Sequence, residues 1–259
     1  LKTGNELALA YDTGGNTLLA ASQKKGQVLQ ITSQRPILDA DLAADDSLCY
    51  LSSESGYRAV LYVYNSSQEL IYRWLSSSQF FLRCTVSGGA KYAAAAALGQ
   101  QDGMFESSVV LFKTDSAEID RTIPIGNDLI YDLHFVSDDL LVVLCENDLY
   151  FYDLEGQKQG SYSFQSSYLK DFTANGSGFL TLAVNLYKAG NRYTVTTVGL
   201  DGSELGRLSA NEQILDLSAA GKYLAILTSS TLSIYDQTLE EYDVSDNTTG
   251  ATSVVMRAD

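Results

Sequence analysis

The chain has 259 residues, 45% of them apolar, and a formal net charge of −15. Length and apolar content exclude a disordered chain and leave ample core for one large domain. The acidic balance argues against nucleic-acid binding through a basic surface and against attraction to an anionic membrane, and no apolar run reaches the roughly 18 residues of a spanning helix.

Read in chain order, the sequence repeats. A small polar turn is followed by a short apolar run at Leu7–Ala10, Leu48–Leu51, Tyr92–Ala95, Leu141–Leu144, Phe179–Leu182 and Tyr223–Ile226. The first residues of these runs are 41, 44, 49, 38 and 44 positions apart, a spacing that suits a four-stranded propeller blade. A second apolar run then leads into a turn, as at Val60–Tyr64 before Asn65, Val109–Phe112 before Thr114, Tyr150–Tyr152 before Asp153 and Leu232–Tyr235 before Asp236. Asn, Asp and Gly at these points form tight turns at low conformational cost. An outward strand follows, as at Glu69–Tyr72 and Glu118–Arg121.

Short runs rich in Val, Ile, Tyr and Thr, bounded by turn residues, predict strands rather than helices. Ala93–Ala97 has helix propensity, but its place in the repeat predicts a strand whose small side chains let neighbouring blades approach. The expected fold is all-β: a β-propeller of four-stranded antiparallel blades in a single domain, with helices nearly absent. The blades read as 1–35, 36–79, 80–129, 130–168, 169–213 and 214–250. Residues 251–259 begin another copy, with Val254 and Val255 as its inner strand, while the first copy lacks most of its inner strand. Either the last strand completes the first blade of a six-bladed ring, or the parent has seven blades; the second is favoured. Both ends look trimmed from a longer parent.

The connections between second and third strands are long at Ser52–Arg58, Gly99–Ser107 and Tyr187–Arg192, and short near Glu146 and Ser229. Insertions on one face of a repeat protein point to a binding face. Tyr57, Arg58, Met104, Phe105, Tyr187 and Arg192 lie on the long connections, and Arg35, Phe80 and Tyr168 on inter-blade connections of the same side. Aromatic and Arg side chains on exposed loops suit contact with a protein, peptide or glycan. The expected ligand face is therefore Arg35, Tyr57, Arg58, Phe105, Tyr168, Tyr187 and Arg192.

Chemical motifs are sparse. His134, the only histidine, lies on an inner strand with Asp132, Asp138 and Asp139 near in sequence, and no nucleophile elbow accompanies it. Cys49, Cys84 and Cys145 lack metal-like spacing and read as small buried hydrophobes. Asp39, Asp41, Asp45, Asp46, Asp138 and Asp139 offer oxygen ligands without EF-hand spacing and read as solvated turn residues. No catalytic residue, metal or cofactor is expected. The alternatives to a binder are a glycoside hydrolase using channel-mouth carboxylates and a structural spacer.

Tyr11–Asn16, the Leu232–Asp236 turn and the Val254–Asp259 segment resemble bacterial propellers of unknown function, found chiefly in Gram-positive anaerobes. The resemblance implies an extracytoplasmic propeller of the cell envelope, tethered by an N-terminal membrane helix absent from this chain. It carries no catalytic signature. A monomer that does not itself touch the membrane is expected.

Overall fold

The computed structural model describes residues 2–101, 103–164 and 168–257. They form six four-stranded antiparallel sheets, taken from the chain in order. The first holds β1 (Lys2–Thr3), β2 (Leu7–Tyr11), β3 (Thr17–Ser22) and β4 (Gly26–Thr32). The second holds β5 (Asp39–Leu42), β6 (Leu48–Glu54), β7 (Tyr57–Tyr64) and β8 (Leu70–Ser76). The third holds β9 (Phe80–Val86), β10 (Tyr92–Gln101), β11 (Met104–Lys113) and β12 (Ile119–Gly126). The fourth holds β13 (Ile130–Ser137), β14 (Leu140–Cys145), β15 (Asp148–Asp153) and β16 (Lys158–Ser163). The fifth holds β17 (Tyr168–Thr173), β18 (Phe179–Asn185), β19 (Tyr193–Gly199) and β20 (Glu204–Ala210). The sixth holds β21 (Ile214–Ala220), β22 (Tyr223–Thr228), β23 (Leu232–Asp236) and β24 (Glu241–Ser245). One 3-10 turn at Gly88–Ala90 is the only helical element among the described residues. The chain is thus all-β and built of six propeller-type blades.

Two compact units divide the chain: Leu1–Cys145 with Tyr152–Gln157, and Glu146–Phe151 with Lys158–Asp259. In the first unit, Leu9, Leu18, Ile37 and Leu48 pack in one fully buried cluster, and each contributes about 2 kcal/mol by leaving water. A second cluster explains the alanine run. Ala93 pairs with Phe112 and Ala97 with Phe81, so each alanine makes room for a ring on the neighbouring strand. The two rings meet edge-on at 6.0 Å, and Trp74 of β8 approaches Phe112 at 5.5 Å. Large facing small across the ladder lets a strand of poor β-propensity hold its place. In the second unit, Phe179, Val195, Ile214, Leu224 and Ile226 form the corresponding core.

Two sequence expectations are corrected here. The connections at Ser52–Arg58 and Gly99–Ser107 are not long loops. Pairing continues to Glu54↔Tyr57 and Gln101↔Met104, so extra residues lengthen the strands and leave tight turns. Gly56, at φ 88°, supplies the left-handed corner of the first. Only Leu186–Arg192 is a true loop, closed by the Leu186 N–H donating to the Arg192 carbonyl. Asp102, within the second connection, lies outside the described residues.

The terminal segment is the second correction. Described residues 251–257 form no strand. They are held instead by side chains of β21: the Val254 N–H donates to Asp216 Oδ2 at 2.7 Å and the Met256 N–H to Ser218 Oγ at 2.9 Å. The last two residues of the expected segment, Ala258 and Asp259, lie outside the described residues. The first sheet carries its own first strand, β1, which pairs Lys2 with Leu9 and Thr3 with Ala8.

Candidate functional site

Within the first unit, the hairpin ends of the second and third sheets carry an exposed aromatic patch. Phe80 opens β9 opposite Leu98, and Phe105 stands opposite Gln100, two residues further along β10. The period-two pleat therefore puts Phe80, Leu98 and Phe105 on one face of the sheet. Phe80 is 51% exposed, Phe105 47% and Met104 61%. Arg58, at the start of β7, joins the sheets: its guanidinium lies 4.9 Å from the Phe80 ring centroid, and Nη1 donates to the Ser78 carbonyl. Tyr57 is exposed beside it. Arg35 is exposed on the connection between β4 and β5.

The second unit holds Tyr168, Tyr187 and Arg192, all exposed at one end of the fifth sheet, where Tyr168 pairs with Asn185. Phe80 and Tyr168 begin strands rather than lying on inter-blade connections. Their place in the ladder, rather than loop packing, orients them.

A polar cluster in the first unit escapes the sequence reading. Asp39 and Asp41 are buried on β5, not solvated in a turn. Asp39 Oδ1 accepts from the Tyr11 hydroxyl at 2.9 Å, and Oδ2 accepts from the Cys84 N–H of β9 at 2.9 Å. Asp41 accepts from Thr85 Oγ1 at 2.8 Å and faces the Lys2 ammonium at 3.6 Å. On β13, Asp132 accepts from the Leu133 N–H and pairs with His134 Nε2 at 3.0 Å. Arg83 of β9 donates Nε to the Tyr131 carbonyl at 2.7 Å and Nη1 to the Leu82 carbonyl. Lys2, Tyr11, Thr13, Leu38, Asp39, Arg83 and Asp132 line a cavity of about 210 Å³.

Burial and the Asp132 charge push the Asp39 carboxyl up to about 6, against the opposing Cys84, Tyr11 and Arg83 contacts. Burial raises Asp132 too, but His134 and Lys2 outweigh it and hold the carboxyl well below the usual range. Burial disfavours the Lys2 ammonium, yet Asp41, Asp132 and Asp39 hold its pKa above the ordinary lysine value. Burial and Asp39 push Tyr11 up to about 12.

Part of this cluster has a structural role that recurs along the chain. Asp39, Arg83, Asp171 and Asp216 occupy the same position on the first strands of the second, third, fifth and sixth sheets, two residues after Ile37, Phe81, Leu169 and Ile214, while Asp132, two after Ile130, holds that position in the fourth and turns to Leu133 and His134. Each of the first four reaches the backbone of the segment one repeat on: Asp39 the Cys84 N–H, Arg83 the Tyr131 carbonyl, Asp171 the Leu217 N–H and Asp216 the Val254 N–H. The first strand of a sheet leaves one edge of backbone groups unpaired, and these side chains satisfy some of them. The signal was present in the repeat register as an apolar residue, any residue, then Asp, with Arg83 in place of Asp in the third sheet.

Cys49, Cys84 and Cys145 are buried thiols, and burial pushes the first two up. Among the described residues no group of three or more His, Cys, Asp or Glu side chains is placed to hold a metal ion, and no helix is long and apolar enough to cross a membrane.

Blade order, blade size and four-stranded antiparallel pairing define a protein of the β-propeller class. The chain belongs to the family of unknown function DUF5711, whose model matches residues 1–243. No curated protein matches it. Among solved structures it is similar to hydrazine synthase of Kuenenia stuttgartiensis, at TM-score 0.62 and 15% identity over 92% of this chain and 75% of that one. It is also similar to a functionally unknown protein of Desulfotomaculum acetoxidans, at TM-score 0.62 and 14% identity over 92% of this chain and 79% of that one. At such identity the likeness shows the fold alone.

Proposed function

We propose that this propeller is a non-enzymatic binding module, contacting a protein partner through the hairpin ends of its second and third sheets. The observation that carries this is Arg58 stacked over the exposed Phe80, with Phe105 on the same sheet face. Exposed aromatic, Met and Arg side chains gathered in one place are the composition of protein-interface anchors. Met104 and Leu98 favour a protein or peptide over a glycan, which would call for more polar groups. The module acts on the outer side of the cell membrane, as the resembling propellers do.

The test compares capture from an envelope extract by the wild type and by Tyr57→Ser/Phe105→Ser, with Tyr187→Ala as a third bait and a glycan array in parallel. A partner retained by the wild type and by Tyr187→Ala, but lost by the double variant, supports the proposal. An identical captured set from all three baits sinks it.

The hydrolase alternative has one observation of its own. Asp39 and Asp132 line one cavity with pKa values pushed apart, as an acid and a base would be. Each of their four oxygens, however, already holds a protein donor or the His134 ring. A glycoside screen near pH 6 decides the matter: turnover abolished by both Asp39→Asn and Asp132→Asn would favour it.

A further inference from the structure

Hydrogen-bond bookkeeping around the first-unit cavity is unequal. Both oxygens of Asp39 and both of Asp132 are engaged by groups of the protein. The cations are not saturated. Arg83 spends Nε and one Nη1 hydrogen on backbone carbonyls, bonds that pin the plane of its guanidinium between β9 and β13, and among the described residues Nη2 meets no acceptor. Lys2 carries three donors and has a single ion pair, to Asp41 at 3.6 Å. Both cations line the cavity, and Thr13 is part of the same lining. A fixed guanidinium edge with unspent donors, facing an opening, is arranged to receive an acceptor.

We infer that this cavity is a binding site for a small carboxylate, held by the guanidinium of Arg83 and the ammonium of Lys2. A planar carboxylate matches the fork of an arginine. Asp39, Asp41 and Asp132 stand near the two cations and oppose any anion in proportion to its charge, so the ligand is held by directed hydrogen bonds from the guanidinium and the ammonium rather than by net charge. The groups facing Asp39 are Lys2 on β1, Tyr11 on β2, Asp41 on its own strand, Arg83 and Cys84 on β9, and Asp132 with His134 on β13. Because Asp39 loses its charge near pH 6, mildly acid solution eases entry of the anion. At about 210 Å³ the cavity has room for a small organic acid or the last residue of a peptide, and for little more.

The test titrates isotope-labelled protein at about pH 6 with sodium acetate, with sodium chloride at matched ionic strength as the control. Amide resonances of β9 and β13 are expected to shift saturably with acetate and not with chloride. Triglycine with a free carboxyl terminus and its amidated form separate two sources of the carboxylate. Acetate binding shows that a free acid suffices, and binding of free triglycine but not the amide shows that a chain end enters. Arg83→Gln should weaken either ligand at least roughly tenfold, the loss of one charge-assisted pair. If Arg83→Gln does not fold, Lys2→Gln, at a partly exposed side chain, takes its place. Shifts that follow chloride for every ligand, or unchanged affinity in the folded variant, would overturn the inference.

Discussion

Asp39→Asn should stabilise this protein at neutral pH. The Asp39 carboxyl is buried, and its pKa stands at about 6 instead of 3.8. In the folded state the proton is held more tightly than in the unfolded chain, so stability attributable to this group is complete below about pH 4 and is lost as pH rises through about 6. That difference in pKa converts to at most about 3 kcal/mol by which the ionised form weakens the fold above that window. Asparagine removes the charge and keeps the geometry. Its oxygen accepts the Cys84 N–H, and its amide donates to the Tyr11 oxygen, which reverses its role. Asp132 works in the opposite sense: its lowered pKa adds stability that is lost only below the usual carboxylate range, outside the Asp39 window. Asp171, also raised by burial, has the sign of Asp39, so the comparison must be variant against wild type at each pH. Urea unfolding followed by the fluorescence of Trp74, the sole tryptophan, measures it. At about pH 8 the variant should gain about 2–3 kcal/mol, and at about pH 4 the two proteins should agree. A variant less stable than the wild type at pH 8, or a gap that does not close in acid, would show that the charge of Asp39 holds the Arg83–Lys2 cluster together and that the argument is wrong.

Leu224→Asp places a charge in a fully buried position of the second-unit core and should cost more than about 4 kcal/mol, read as loss of the unfolding transition or a collapse of its midpoint. Asp216→Ala removes the acceptor for the Val254 amide and leaves the Leu217 amide on Asp171 alone; stability should fall by about 1–2 kcal/mol, and Val254 should exchange its amide hydrogen roughly tenfold faster. Tyr187→Ala, at a side chain 55% exposed, should change stability by less than about 0.5 kcal/mol in the same urea assay. Cys49, Cys84 and Cys145 should ignore an aromatic disulfide reagent in the native protein and react together on unfolding; a thiol that titrates under native conditions would contradict its burial.

The repeat was readable because it is written in local signals. Leu7–Ala10, Leu48–Leu51, Leu141–Leu144, Phe179–Leu182 and Tyr223–Ile226 all fall on second strands of their sheets; outside the first sheet, where Ala10 is exposed, these runs are covered on both faces or nearly so, which favours a mostly apolar run. Even Ala93–Ala97 declared itself through position, although the reason it works, rings at Phe81 and Phe112 facing alanines, needs the register. Hairpin lengths were not readable, because Gly99 and Gln100 pair only once β10 and β11 are aligned. The Asp39 and Asp41 environment was least readable of all. An acidic residue beside alanine looks like a turn, and its partners Cys84 and Thr85 lie more than forty positions away. His134 and Asp132 were paired by sequence proximity, since residues two apart on a strand share a face.

Asp39, Arg83, Asp171 and Asp216, which reach from one first strand to the next repeat, share one property: the group they meet there is main chain. Cys84, Leu217 and Val254 have nothing in common except the amide they present, and Tyr131 contributes only its carbonyl. A joint that asks nothing of its neighbour's identity is interchangeable. These joints leave the sequence at the touched positions free to vary, so what ties one blade's side chains to the next is the packing beside them, Trp74 on Phe112 and Arg58 on Phe80 among it.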